Sequence, residues 1–240
     1  MSTDTRVAWV PLESNPAVMS EYIQRLGVSP PFGFVDIFGL DDDLLAMVPT
    51  PVLAVILLFP VTTMHDEHNK ATLESSAGSD SADGPVFMRQ TIRNACGAMA
   101  VLHAVANAQS KLDVEQNSPL AKFLNDIKDM TPVQRAERLL SDASIASVHA
   151  RSAYDGQTLP PDAEDEVDFH FVCFVEKNDK LFELDGRFDK PIDHGKIEGG
   201  NDENGSGLLK AAAKIAKQYM QRDPDNLNFT LTALAPQTEW

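Results

Sequence analysis

The chain is poor in cysteine and has no long hydrophobic run. Cys96 and Cys173 are the only cysteines in 240 residues, which excludes both a disulfide framework and a cysteine-rich zinc motif. We therefore expect a reducing compartment, the cytoplasm, with the nucleus as an alternative. There is no run of about 18 apolar residues, so we expect no membrane span, and the first residues lack the pattern of a secretory signal.

Basic residues are also scarce. The chain has 20 Lys and Arg against 36 Asp and Glu, a net charge of −16. Binding to nucleic acid phosphates needs positive charge, so we expect no nucleic acid partner. The excess of carboxylates instead favours a partner or substrate segment that is basic. With 43% hydrophobic residues, the chain is long enough to bury one large core, and we expect a single domain over residues 1–240.

Local patterns predict a mixture of helices and strands without βα repeats. Asn15 and Pro16 begin a helix that Gly27 ends, and the unbroken apolar run from Val52 to Phe59 predicts a central strand covered on both faces. The polar segments 63–85 and 146–167 lack a clear period and are predicted to be surface loops. Mixed elements in this order predict an α+β domain. The other predicted elements are a strand over 34–38, short helices starting at Asp41, Ser118 and Thr131, a helix over 208–221 and a strand over 228–234.

A cysteine at the start of a helix is the first candidate for chemistry. Cys96 follows Asn94, a good N-cap residue, and precedes a helix rich in small residues. Unpaired N–H groups and the helix dipole favour a thiolate there, and the thiolate is the nucleophilic form. The Gln90 side chain can donate to an oxyanion together with the Cys96 backbone N–H. The alternative is a buried structural cysteine, since free cysteines are often found in cores.

A nucleophilic thiol needs a base, and His170 is the best candidate. It lies in a strand over 168–175, which a turn at Asn178 and Asp179 joins to a second strand over 181–185. In that register His170 and Asp185 are diagonal neighbours on one face, so the carboxylate can orient the imidazole. A histidine held in the core near a turn aspartate remains the alternative, because a slip of one residue would separate the pair.

The other histidines and the second cysteine point to no further site. His65 and His68 lie in the polar segment 63–85 and have no third ligand at a useful spacing, so we expect a solvated loop and no metal. Cys173 lies inside an apolar strand, where burial raises the pKa of a thiol, and is predicted to be a core residue.

Several segments together resemble the ubiquitin carboxyl-terminal hydrolases of the short, single-domain type. The most specific are FMRQTIRNACGA, VDFHFVCFV and LFELDGR, and the resemblance extends over about residues 9–234. It implies a papain-like cysteine peptidase with a central, mostly antiparallel sheet, helices on both faces and a knotted backbone. It also implies that Cys96 is the nucleophile, His170 the general base and acid, Asp185 its orienting group and Gln90 the oxyanion donor, with no cofactor.

The resemblance further implies how a substrate is bound. Trp9 and Leu12 belong to an N-terminal element that contacts ubiquitin, and Glu13 and Asp36 match acidic positions facing its basic C-terminal tail. Segment 146–167 matches the active-site crossover loop, which favours small or unfolded leaving groups. We expect a monomer with ubiquitin as its partner, and NEDD8-like modifiers stay open. The alternatives are another Cys-His-Asp acyltransferase and a non-catalytic ubiquitin-binding module.

Overall fold

A computed structural model describes residues 7–75, 84–165 and 167–237 of the chain. The helices in this part are α1 (Pro16–Leu26), α2 (Asp42–Leu45), α3 (Thr63–Ser75), α4 (Cys96–Ala108), α5 (Pro119–Asp126), α6 (Pro132–Leu140), α7 (Ala143–Ser152) and α8 (Ser206–Arg222). The strands are β1 (Phe32–Asp36), β2 (Ala54–Pro60), β3 (Phe169–Lys177), β4 (Lys180–Leu184), β5 (Ile192–Lys196) and β6 (Thr230–Pro236). Among the helices described, none combines the length and apolar character needed to span a bilayer.

The strands form one antiparallel sheet in the order β1-β6-β2-β3-β4-β5. Strand β2 lies in the interior of this sheet between β6 and β3, as the apolar run over 52–59 predicted. The α+β class, the antiparallel sheet and the helices on both faces are confirmed. The knot implied by the resemblance stays a prediction.

Helices cover both faces of the sheet, which explains why β2 shows no alternation. Ala54 and Ile56 belong to the core on one face, which also contains the buried sides of α1 and α4. Val55, Leu57 and Phe59 point to the other face and pack in a second core with α8. Since side chains of a strand alternate between faces, an unbroken run of apolar residues such as that of β2 is expected in a sheet buried on both sides.

Local signals at helix ends were reliable for α1 but failed for α4. Asn15 accepts from the backbone N–H of Ala17 at 3.0 Å, and Gly27 ends α1 with a φ of 108°. The prediction that Asn94 caps the helix of Cys96 is wrong, because the N-cap position is Ala95 and no side chain caps the helix. Asn94 has a φ of 56° and its amide is turned toward segment 163–165 instead.

The two predicted surface loops are partly helical. Residues 63–75 of the segment 63–85 form α3, and 76–83 lie outside the described residues. His65 is fully buried rather than solvated, because its ring packs against Phe59 and Tyr219, whereas His68 is exposed. Helix α7 covers the first part of segment 146–167, so the crossover loop begins only at residue 153. Strand β5 was not predicted.

Candidate active site

Cys96 is the first residue of α4, and α4 packs against β3, the strand that carries His170. Cys96 is half-buried and lines a cleft. The cleft is lined by the N-terminal segment, the turn before α4, the ends of β2 and β3, and the crossover loop. Its lining includes Pro11, Leu12, Glu13, Leu58, Gln90, Asn94, Cys96, Thr158, Pro160, Phe169, His170 and Arg187.

The β3–β4 hairpin brings His170 and Asp185 together. Cys173 pairs with Leu184, so the predicted register is confirmed. His170 Nε2 lies 2.7 Å from Asp185 Oδ1, and Asp185 is fully buried. Since Nε2 is occupied by the carboxylate, Nδ1 is the ring nitrogen left for the hydrogen bond with the Cys96 thiol.

The electrostatics of this trio favour an ion pair between sulfur and imidazole. Burial opposes the charged form of His170, but Asp185 and the Cys96 hydrogen bond outweigh it and raise the His170 pKa to about 9. Burial also opposes the Cys96 thiolate, yet the hydrogen bond and charge of His170 lower the pKa of the thiol. The pKa of Asp185 is lowered despite its burial, because His170 and Arg187 stabilise the carboxylate.

Arg187 completes the surroundings of Asp185, and sequence reasoning missed it. Its Nη2 lies 3.0 Å and its Nε 3.2 Å from Asp185 Oδ2, while its backbone N–H donates to Oδ1 at 2.9 Å. The guanidinium also lies over the Phe59 ring, 5.9 Å from its centroid. A basic residue two positions after the aspartate was the signal available in the sequence.

Gln90 lines the same cleft as Cys96 and contacts the turn that follows Asp185. Its backbone N–H donates to Gly186 at 2.7 Å, and a Cβ on Gly186 would come within 2.8 Å of Gln90 Cβ. The Gln90 side-chain Nε2 donates to the Ile92 carbonyl at 3.1 Å. Because an amide nitrogen carries two hydrogens, this bond fixes the side chain and leaves a second donor for the cleft.

The predicted substrate-binding residues lie in three different environments. Leu12 is buried and lines the cleft, and Trp9 stacks on the His149 ring at 4.3 Å between centroids. Glu13 lies at the cleft but accepts from the crossover loop, from Thr158 N at 3.1 Å and Thr158 Oγ1 at 2.8 Å. Asp36 is exposed at the end of β1, outside the cleft lining.

The two carboxylates nevertheless lie near one edge of the sheet. Asp36 is paired with Thr232 of β6, and the hydroxyl of Ser14 lies 2.7 Å from that of Thr230 at the start of the same strand. Partial desolvation raises the pKa of Asp36, whereas the Glu13 pKa is lowered because its hydrogen bonds outweigh the effect of burial.

Within 7–75, 84–165 and 167–237, no three His, Cys, Asp or Glu side chains are grouped as metal ligands.

Comparison with known proteins gives consistent matches along the chain. Residues 9–221 match the model of ubiquitin carboxyl-terminal hydrolase, family 1. The chain is 38% identical over 231 residues to ubiquitin carboxyl-terminal hydrolase 3 of Arabidopsis thaliana, covering 96% of this chain and 95% of the relative. It is 37% identical over 224 residues to the human isozyme L1, covering 93% and 96%.

A solved structure supports the fold. The UCH37 catalytic domain of Trichinella spiralis, bound to ubiquitin vinyl methyl ester, aligns with a TM-score of 0.75 at 22% identity. The alignment covers 96% of each chain. The arrangement of sheet and helices is therefore shared over almost the whole length.

Proposed function

We propose a catalytic mechanism for this chain, which belongs to ubiquitin carboxyl-terminal hydrolase family 1. The chain is a deubiquitinating cysteine peptidase, and its residues take the following roles. Cys96 is the nucleophile, His170 the general acid and base, and Asp185 the group that orients His170. The observation that carries this assignment is the continuous contact from the Cys96 thiol through His170 to the buried Asp185. Residues 1–240 act as one catalytic domain.

In the first half of the reaction, the Cys96 thiolate attacks the carbonyl carbon of the last glycine of ubiquitin. A C–S bond forms and the carbonyl electron pair moves to the oxygen. The Gln90 amide and the Cys96 backbone N–H donate to that oxyanion. His170 then gives its proton to the leaving amine as the C–N bond breaks, and a thioester remains on Cys96.

In the second half, water hydrolyses the thioester. His170, now neutral, takes a proton from the attacking water, and the C–S bond breaks as the tetrahedral intermediate collapses. The products are the Cys96 thiolate beside a protonated His170 and the ubiquitin carboxylic acid, which loses its remaining proton to solvent and leaves as the carboxylate. Thioesters and esters at the same carbonyl follow the same steps with a sulfur or oxygen leaving group.

The charge of the cleft supports a basic tail as the substrate. Glu13 lies at the cleft and Asp36 nearby on the same edge of the sheet, so both carboxylates can pair with arginines that precede the terminal glycines. Leu12 gives the tail an apolar wall, while Trp9 holds the N-terminal segment in place through its stack on His149. Both side chains therefore act mainly by shaping the cleft.

The experiment follows turnover and binding separately. Wild type should release fluorophore from a ubiquitin C-terminal amide, and Cys96→Ser should lose more than about 10³-fold in rate while still binding free ubiquitin in a titration. Cys96→Ser with near wild-type turnover would contradict the assignment of the nucleophile. Binding without any turnover by wild type would favour a ubiquitin-binding module, and transfer to amines in place of hydrolysis would favour an acyltransferase.

A further inference from the structure

Asn94 connects the turn that presents the nucleophile to the crossover loop. Its side-chain amide donates two hydrogen bonds, to the carbonyl of Ala163 at 2.9 Å and to that of Asp165 at 2.8 Å. Its φ of 56° lies in the left-handed region, which asparagine tolerates better than most residues. The same residue therefore shapes the backbone before Cys96 and holds the loop.

Arg93 holds the residue between those two carbonyls. Its Nη1 lies 3.0 Å from Glu164 Oε2, and its Nη2 donates to the Glu164 carbonyl at 3.1 Å. The backbone of Arg93 is itself fixed, because its N–H donates to Val7 and its carbonyl accepts from Trp9. Three successive loop residues are thus attached to a rigid two-residue segment next to the nucleophile.

The beginning of the loop is attached independently. Arg25 of α1 bonds to Ser152 and Asp155, and Glu13 accepts from Thr158. The loop is therefore fixed on both sides of its span across the cleft. A leaving group bonded to the scissile carbonyl has to pass through the space that this span encloses.

We propose that Arg93 and Asn94 form a clamp on residues 163–165 that determines the largest leaving group the enzyme accepts. The clamp acts on specificity because it closes the loop over the cleft and takes no part in bond making. The clamp opens only when all four hydrogen bonds break. A small leaving group passes while the clamp is closed, whereas a folded leaving group passes only when it is open. The proposal rests on the proposed function, since it concerns the same cleft and reaction.

The variants are chosen to release the loop without straining the catalytic turn. Asn94→Gly removes both amide donors and keeps a residue that adopts positive φ readily. Glu164→Gln removes the charge of the ion pair at a side chain that is 78% exposed, so folding should be unaffected. Glu198→Gln, which breaks the exposed Lys214–Glu198 pair outside the cleft lining, is the matched control.

The measurement is a ratio of kcat/KM values. One substrate is ubiquitin joined through its C-terminal glycine to a folded protein domain, and the other is a ubiquitin amide of a small fluorophore. Asn94→Gly with Glu164→Gln should raise the folded-to-small ratio by about tenfold or more, and the control should change it less than twofold. An unchanged ratio would overturn the clamp, even if both rates fell together.

Two further readouts make the outcome decisive. Amide hydrogen exchange over residues 153–165 should become faster in the double variant, and equal protection would also contradict the proposal. The charge swap Arg93→Glu with Glu164→Arg restores the ion pair in reverse, so its folded-to-small ratio should be lower than that of Arg93→Glu alone. Equal ratios in these two variants would show that the ion pair is not part of the clamp. Absence of turnover of the small amide by wild type would overturn the proposed function itself.

Discussion

His170 Nε2 lies 2.7 Å from Asp185 Oδ1 in a site where Asp185 is fully buried and His170 almost so. Burial alone would keep the imidazole neutral, since it disfavours the charged form. The carboxylate outweighs that effect and raises the His170 pKa to about 9. The pair thus holds a proton on the imidazole at neutral pH, where it stabilises the Cys96 thiolate and is available for the leaving group.

This relationship predicts the pH dependence of kcat/KM. Activity should rise as Cys96 ionises, below the ordinary pKa of a thiol, and fall as His170 loses its proton near pH 9. Asp185→Asn removes the compensating charge, so the alkaline limb should move down by more than about 2 pH units and activity near pH 7.5 should fall at least about 10²-fold. An alkaline limb still near pH 9 in Asp185→Asn would exclude Asp185 as the cause.

Gln90→Ala should reduce kcat by about 10²–10³ with little change in KM, because an oxyanion donor acts mainly in the transition state. The rates come from the fluorogenic ubiquitin amide under saturating substrate. Gln109→Ala, at the far end of α4, is the control for removal of a glutamine amide and should keep the wild-type rate. A loss below about threefold in Gln90→Ala would assign the oxyanion to other donors.

Gly186→Ala tests whether the position of Gln90 matters as well as its chemistry. A Cβ at residue 186 would come within 2.8 Å of Gln90 Cβ, closer than unbonded carbons normally approach, so the two segments must separate. We expect kcat to fall by about tenfold or more while Cys96 alkylation stays fast, because a 1 Å displacement of a catalytic group is costly. A fully active Gly186→Ala would show that the turn can move without affecting the donor.

The two cysteines should differ sharply in reactivity. The Cys96 pKa is lowered by His170 against the effect of burial, whereas burial raises the Cys173 pKa, and Cys173 is fully inaccessible in β3. Iodoacetamide at pH 7 should therefore modify Cys96 at least about 10²-fold faster than Cys173 in the folded protein. Mass spectrometry of Cys96→Ser gives the rate for Cys173, and unfolding in urea should restore that rate to the value of an ordinary thiol.

Acid should destabilise the protein through His103. Its buried Nε2 accepts from the Met88 N–H at 3.0 Å, and desolvation is the main reason that its pKa is lowered to about 4. A folded pKa below the unfolded value of 6.5 means that the stability it contributes is complete above pH 6.5 and is lost as pH falls toward 4. The free energy of unfolding should drop by about 1.4 kcal/mol per pH unit for this proton.

Urea unfolding between pH 7 and 4 measures that slope, and His103→Gln should make it shallower by one proton. His149, whose pKa is also lowered to about 4 by burial, contributes a second proton with the same sign, so His103→Gln reduces the slope without abolishing it. Equal slopes in wild type and His103→Gln would mean that the pKa of His103 is the same in the folded and the unfolded protein.

Part of the site could be predicted because short-range geometry determines it. A turn at Asn178 and Asp179, both with positive φ, fixes the register of β3 and β4, and with it the contact of His170 with Asp185. The prediction failed where tertiary contacts decide. Thr63–Ser75 looks like a polar loop, yet it is helical and His65 is buried against Tyr219. Asn94 has the chemistry of an N-cap, but the crossover loop uses its amide instead.

By itself the sequence determined most of the helices and strands, though not α3, α7 or β5, and it determined which chemical groups are available, because caps, turns and apolar periods act over a few residues. It placed a thiol at the start of one helix and an imidazole in a strand much further along the chain. Only the packing of α4 on β3 decided that Cys96 and His170 touch, and only the folded loop decided that Glu13 and Asn94 hold it. Such contacts join segments that are far apart in the sequence, so they depend on how helix, sheet and loop pack together, which no local pattern contains.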